Sequence, residues 1–537
     1  MTKPANAKRH ATQQSLNGAI KAICDIMRRS NCAGAMQYVP ELTWILFLRI
    51  FDEREQQEAE FAQAVAAEFT PSFPPPYRWR DWAAPEGGKR KELQAGTLGA
   101  YLSFVNGELI PFLRGLESQP NATPRQKVIS EIMSGVERVR IDTERNLLDV
   151  LDRVQNISAE SVDDTHIFTL SQVYEGLLLK MGEKGNDGGQ FFTPREVIRA
   201  MVKTIHPKIG ETIYDPGCGT GGFLAQAYEY VRDQLGEGIT PEELDKLKRR
   251  TVYGREKENL ICPIALANLV LHGVDEPHLW HGNTLTGGET YGGLWQDAPS
   301  IFDVVLTNPP FGTKGANQAP EREDFTISTS NKQLNFVQHV LTILKPGGRA
   351  AVVLPDNVLF ADKAGEVMKI LAEDCDLHTV LRLPRGTFTP YSQGVKANVI
   401  FFTKGYPTEN VWIYDARTNV PGITKKDRPL TKEHFAEFVK CFGADPNGKS
   451  KRKTGDSKTD RWRSFHISEV AEREFKLDGF KWLREESLED ADEMPPPEEL
   501  ANDAIAELEA AVGELGTVLA LLEDGDEAKP KKKVART

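Results

Sequence analysis

Cysteine is sparse in this chain, six among 537 residues, and Cys24, Cys32, Cys218, Cys262, Cys375 and Cys441 form no C-x-x-C pair and no Cys/His cluster. Neither a disulfide framework nor a zinc or other metal site is expected from that spacing, and the thiols read as small buried hydrophobes. Long apolar runs are also missing. The most apolar stretch, LTWILFLRIF, is too short and too interrupted to span a bilayer, and the opening MTKPANAKRHATQQ has no apolar signal core. No membrane partner and a cytoplasmic location are therefore expected. Positive charge is in deficit: 66 Lys and Arg stand against 78 Asp and Glu, a net charge of -12. So acidic a chain does not grip nucleic acid by bulk electrostatics, because neutralising phosphates takes clustered Lys and Arg. If nucleic acid is the substrate, a partner is expected to supply the basic surface. No internal repeat is visible.

At roughly 150 residues per domain the length suggests about three domains. Apolar residues at three-four spacing in AIKAICDIMRR and ELTWILFLRIFDEREQQEAEFAQAV predict helices, broken by FTPSFPPPYRW. Further on, short β-rich runs alternate with amphipathic helices: ETIYD, TVYGRE, HLWHGNT, FDVVLT, GRAAVVLP, LHTVLRLP and KANVIFFTK. That alternation predicts an α/β fold with a mostly parallel sheet covered on both faces. We divide the chain into a helical N-terminal domain over residues 1–160, an α/β domain over 161–440, a polar loop and connecting segment over 441–495, and a C-terminal docking helix with a basic tail over 496–537. The basic, polar residues 441–460 read as a loop able to touch phosphates but not to read bases.

The motifs fall at successive strand ends. DPGCGTGGFL, Asp215 to Leu224, follows ETIYD and opens a helix, so its glycines allow close approach of a ligand and its free N–H groups favour an anionic or polar group. A purely structural strand-to-helix turn is the alternative; the dinucleotide pattern G-x-G-x-x-G is not cleanly met. TVYGRE ends in Glu256, where an α/β nucleotide site places an acid to accept both ribose hydroxyls, although such an acid alone is more often a solvated strand end. In GGQFFTPREVIRAMV, Thr193 reads as an N-cap, Pro194 as the first helical residue and Glu196 as the end of a T-x-x-E capping box. FDVVLT delivers Asn308, Pro309, Pro310 and Phe311. The prolines preset the Asn308 side chain and the Pro309 carbonyl, and an amide oxygen with a nearby carbonyl can accept both hydrogens of one exocyclic amine. Phe311 offers a stacking face for a base. A rigid turn after a strand is the plain alternative.

With these motifs in place the chain resembles amino-methylating DNA methyltransferases, and more closely the modification (M) subunits of Type I restriction-modification systems. The resemblance rests on QFFTPR, DPGCGTGGF, NPPF, NKQLNFVQHVL, GGRAAVVLP and LPRGTFTPYSQGVKANVIFF in the family's order, and covers nearly the whole chain. It implies a Rossmann-like methyltransferase fold with a doubly wound sheet, an all-α N-terminal domain and a C-terminal coiled-coil-like helix. It implies S-adenosylmethionine held by Gln190, Phe191, Phe192, Thr193, Pro194 and Arg195, by Asp215, Gly217, Gly219, Thr220, Gly221 and Gly222, and by Glu256 and Asn283. N6 of a flipped adenine in double-stranded DNA is then held at Asn308, Pro309, Pro310 and Phe311. Gly217 stands where the family often has alanine, and Asn283 where related enzymes often have an acid. Implied partners are a specificity (S) subunit and, through the complex, a restriction (R) subunit. The loop TKGANQAPEREDFTISTS is expected to cover the site.

Three other readings are weighed: a self-sufficient adenine methyltransferase, an N-P-P-F/Y enzyme acting on guanine in ribosomal RNA or glutamine in protein, and a non-catalytic DNA-anchoring subunit. At the C-terminus Ala501, Ile505, Leu508, Val512, Leu515, Leu519 and Leu522 recur at alternating four and three spacing, an a/d seam of about three heptads. That seam is expected to dock on a partner helix; packing onto the protein's own body is the plain alternative.

Overall fold

The computed structural model describes residues 13–32, 35–157, 193–286, 293–311, 320, 322–389, 394–424, 427–452 and 460–483, together with Ile505 and Val512. Gln190, Phe191 and Phe192, part of the loop after Phe311, and all of the C-terminal seam except Ile505 and Val512 lie outside the described residues.

The first part is helical, as the periodicity predicts. Helix Gln13–Arg28 buries Ile20, Ile23, Cys24 and Met27 along one stripe. Helix Ala35–Ala64 buries Trp44, Ile45, Leu46, Phe47 and Leu48 in succession, so the apolar run that is too short for a membrane is enclosed by other helices. Helix Pro124–Met133 opens with a capping box between Thr123 and Gln126. Among the described residues no helix is long and apolar enough to cross a membrane.

Among the described residues nine strands form one sheet: β1 (Ile213–Asp215), β2 (Val252–Glu256), β3 (His278–His281), β4 (Phe302–Thr307), β5 (Leu344–Pro355), β6 (Cys375–Arg382), β7 (Ala397–Lys404), β8 (Asn410–Asp415) and β9 (Trp462–His466). Their order is β3-β2-β1-β4-β5-β7-β6-β8-β9. β7 runs antiparallel to both neighbours and β9 antiparallel to β8; the other pairings are parallel. Strands β1, β2, β4 and β7 and most of β5 and β6 are buried on both faces, as a helix-covered sheet requires. The order reverses direction between β1 and β4. In an open α/β sheet the crevice beyond the carboxyl ends at such a switch point receives the ligand.

β8 and β9 were not anticipated, and β9 corrects the reading of 441–495 as a polar connecting segment. Trp462 and Phe465 of β9 are buried, Trp462 stacks on Trp412 at 5.4 Å, and Val470, Leu477 and Phe480 follow into the core. Within the basic stretch 441–460, of which 453–459 lie outside the described residues, Arg452 departs from the expected phosphate-touching loop. Arg452 turns inward, donating to Thr379 Oγ1 at 2.9 Å with its guanidinium 4.7 Å from the Phe442 ring and 5.1 Å from Trp462. A charge enclosed by aromatic faces is held by cation–π attraction and is not offered to phosphate.

The helical part packs on the sheet's helices through one continuous apolar core. Helices Ala35–Ala64 and Pro124–Met133 lie against helix Cys262–His272. Arg125 bridges the two parts, its Nη1 2.7 Å from Glu58 and its Nη2 2.6 Å from Asp275, while Arg54 Nη1 donates to the Val270 carbonyl at 2.9 Å.

Candidate active site

The turn after β1 is held by backbone bonds rather than by side-chain bulk. Cys218 N–H donates to the Arg255 carbonyl at 2.9 Å and Gly221 N–H to the Cys218 carbonyl at 2.8 Å, with Gly219 at φ 53° and Gly221 at φ 80°. Both angles lie in the left-handed region that glycine enters without strain. Helix Gly222–Leu235 starts directly behind, and Gly217 lies against the Phe336 ring, where an added Cβ would sit 3.4 Å from the ring.

Two carboxyl groups converge on this turn. Asp215 accepts Gly217 N–H at 3.0 Å and is 1% exposed; Glu256, at the end of β2, accepts Gly219 N–H on Oε2 at 2.9 Å and Glu258 N–H on Oε1 at 2.8 Å. Burial pushes each up to about 7, and the nearest charged neighbours reinforce it, Glu256 acting on Asp215 and Glu258 on Glu256. Two acids so raised by burial are poised to become ionised by a cationic or hydroxyl-donating ligand. Cys218 and Cys262 stand beside them, and burial holds both thiols protonated, Cys262 at about 12. Neither offers a thiolate nucleophile. Among the described residues no group of three or more His, Cys, Asp or Glu is arranged to hold a metal ion.

The turn after β3 completes this side. Asn283 Oδ1 accepts Leu285 N–H at 3.1 Å, and the next residue, Thr284, donates its hydroxyl to the Pro216 carbonyl. Asn283 thus borders the same crevice as the β1 turn, with its amide oxygen already engaged locally.

Asn308 lies just past the end of β4, the neighbour of β1. Its Nδ2 donates to Thr193 Oγ1 at 2.9 Å, and its Oδ1 is buried and has no hydrogen-bond partner among the described residues. A buried acceptor left unsatisfied costs about 1–3 kcal/mol, so it marks a position reserved for a donor. Gln333 Nε2 holds the Pro310 carbonyl at 2.6 Å, and Phe311 is braced edge-on by the buried Phe388 at 5.3 Å and 76°.

The Thr193 bond corrects the expected capping box. Helix Arg195–Ile205 has Pro194 as its N-cap with no side-chain cap, and Glu196 pairs with Arg199 at 2.7 Å. The hydroxyl that a T-x-x-E pattern would spend on the helix goes to Asn308, 115 residues away. The structure therefore brings Thr193 to Asn308, Asp215 and Glu256 to Gly217 and Gly219, and Thr284, next to Asn283, to Pro216, at neighbouring strand ends. Residues that the motif reading passed over support these turns: Gln333, Phe388, Thr284, Arg322 and His339. A signal for some of them lay in NKQLNFVQHVL, where polar side chains interrupt an otherwise apolar helix.

The N-6 DNA Methylase family pattern matches residues 165–491, and that of the HsdM N-terminal domain residues 16–153. The Type I restriction enzyme EcoEI methylase subunit of Escherichia coli is 35% identical, covering 86% of this chain and 90% of its own length. The EcoKI methylase subunit of Escherichia coli strain K12 is 34% identical, with 94% and 95% covered. Among solved structures, a modification subunit assigned to a type I restriction enzyme of Vibrio vulnificus YJ016 superposes with a TM-score of 0.70 at 30% identity, covering 88% of this chain and 94% of that one.

Proposed function

The chain belongs to the N-6 DNA methylases, and within them to the methylase subunits of Type I restriction enzymes; from that premise we propose that this DNA methyltransferase transfers the methyl group of S-adenosylmethionine to N6 of adenine in a specific DNA sequence. The observation that carries the reading is the buried Oδ1 of Asn308, unpartnered among the described residues, beside an Nδ2 already given to Thr193. With the amide so fixed, Oδ1 accepts one hydrogen of the target amine and the Pro309 carbonyl the other. The amine's lone pair is thereby drawn out of the aromatic ring and becomes available for attack. Phe311, braced by Phe388, offers its free face to the base.

The residues present fit the cofactor. S-adenosylmethionine brings the activated methyl group and a positive charge. Buried Asp215 and Glu256 are assigned to that charge and to the ribose hydroxyls, which favour their ionised forms, and the backbone N–H groups of Gly219 and Glu258 fix the Glu256 carboxyl in place for that role. Gly217, Gly219, Thr220, Gly221 and Gly222 are assigned to the close backbone approach and Asn283 to the adenine side; Gln190, Phe191, Phe192, Thr193, Pro194 and Arg195 are assigned to the cofactor from the motif QFFTPR. Catalysis then rests on alignment and on the polarised amine rather than on a nucleophilic side chain. A stacked adenine must leave the duplex to reach Asn308, at a cost of a few kcal/mol.

A specificity subunit and, through it, a restriction subunit are the proposed partners. Ile505 and Val512, one heptad apart on the C-terminal seam, are both helical and exposed, at 52% and 66%, which supports a face awaiting a helix. Asn308→Ala tests the central reading: methyl transfer should vanish while S-adenosylmethionine binding persists, and equal loss of both would overturn the assignment.

A further inference from the structure

Helix Lys332–Ile343 buries four polar side chains, Gln333, Asn335, Gln338 and His339, and each is spent on chain flanking the Asn-Pro-Pro-Phe turn. Besides the Gln333 bond to Pro310, Asn335 Nδ2 donates to the Thr329 carbonyl at 2.8 Å. Gln338 accepts Ile327 N–H at 2.8 Å and donates to the Ile327 carbonyl at 2.9 Å. His339 Nδ1 lies 3.0 Å from Arg322 Nη1. An arginine has only donors, so Nδ1 carries the lone pair and the imidazole proton sits on Nε2, facing the Tyr214 hydroxyl at 3.1 Å. Burial holds this histidine neutral, as that bond requires.

Arg322 reaches across the site. Its Nη1 also donates to the Thr284 carbonyl at 2.8 Å, and the Thr284 hydroxyl in turn holds Pro216 at the start of the glycine turn. The opposite edge of the guanidinium grips Asp324, with Nε 2.8 Å from Oδ1, and its plane lies 4.3 Å from the Phe325 ring. One side chain thus joins two turns on the cofactor side to residues 322–329 on the target side, and His339 ties it to β1.

We propose that Arg322, seated by His339, is a positioning residue for methyl transfer, keeping the chain that follows Asn308 in register with the Pro216 and Thr284 turns so that amine and methyl donor meet. This rests on the reading of the site given above. Only a planar fork satisfies Thr284, His339 and Asp324 together, so lysine is a partial substitute. A shift of about 1 Å between reacting groups costs on the order of 100-fold in rate.

The test uses the full chain co-purified with its DNA-recognition partner, measuring kcat, KM and, without DNA, the Kd for S-adenosylmethionine. Arg322→Ala is expected to lower kcat by about 30-fold or more while the cofactor Kd stays within about threefold, with Arg322→Lys between it and the unsubstituted protein. A normal kcat in Arg322→Ala overturns the proposal. Loss of cofactor binding in proportion to kcat also overturns it, since the role would then be structural. Asn308→Ala serves as the reference: if it stays active the reading of the site fails, whereas if it is inactive and Arg322→Ala is normal only the present inference fails.

Discussion

Cofactor affinity should depend on pH through Glu256, and the size of the effect follows from its surroundings. In the free protein its carboxyl is pushed up to about 7 by burial, against the donors at Gly219, Glu258 and Lys257. A folded pKa above the ordinary carboxylate range means that the protonated form is favoured in the folded chain. The site's contribution to stability is therefore largest at low pH and is lost as pH rises through about 7. Binding reverses the preference, because two ribose hydroxyls and a sulfonium favour the carboxylate. If the bound state is fully ionised, affinity weakens by a factor of 1 + 10^(7 − pH), about 30-fold at pH 5.5 or ~2 kcal/mol. Asp215, also near 7 and coupled to Glu256, adds to the slope. Titration calorimetry with S-adenosylmethionine between pH 5.5 and 7.5, below the range where an α-amino group titrates, in buffers of different ionisation heat, should show proton release on binding. Glu256→Gln should bind weakly with a flatter pH profile. An affinity constant across that window, in protein that remains folded, would refute the assignment of these acids to the cofactor.

Thr193→Val removes the acceptor that orients Asn308, and should lower kcat about tenfold with little change in cofactor Kd; an unchanged kcat under saturating substrates would show that the amide orients itself. Gly219→Asp forces a side chain onto φ 53° beside the Glu256 carboxylate, so dialysis should find S-adenosylmethionine binding lost while circular dichroism stays native. Arg125→Ala leaves Glu58 and Asp275 facing each other, half-buried, across the helical interface, and urea unfolding should register a loss of about 3 kcal/mol. Leu508→Asp with Leu515→Asp should leave cofactor binding intact yet prevent assembly with the specificity subunit, which size-exclusion chromatography of the co-expressed chains would report.

The seven strands read from the alternation, ETIYD through KANVIFFTK, are all in the sheet, because each is a short run rich in β-branched and aromatic residues bounded by turn residues. The site motifs were legible for the same local reason: a strand followed at once by glycines or by Asn-Pro-Pro. What stayed hidden depends on contacts distant in sequence. RWRSFH looks polar, and becomes a strand only because Trp412 and Phe480 await Trp462 and Phe465. The T-x-x-E pattern at Thr193 is a sound local signal overruled by Asn308. Arg452 reads as solvated until Phe442 and Trp462 enclose it. Arg322 carries no signature of its own, since Thr284, His339 and Asp324 come together around it only in the folded chain.

The apolar core shared by helices Ala35–Ala64, Pro124–Met133 and Cys262–His272 has a practical meaning for anyone wishing to shorten the protein. A fragment beginning after residue 157 would bare the flank of helix Cys262–His272, whose far side supports Gly221 through Ala265 and Leu269 and Thr220 through Asn268. The glycine turn is in effect mounted on a wall whose other face is the helical part. Heating should melt both in a single transition, and removing the helical part would deform the crevice from behind although it lends no atom to the chemistry.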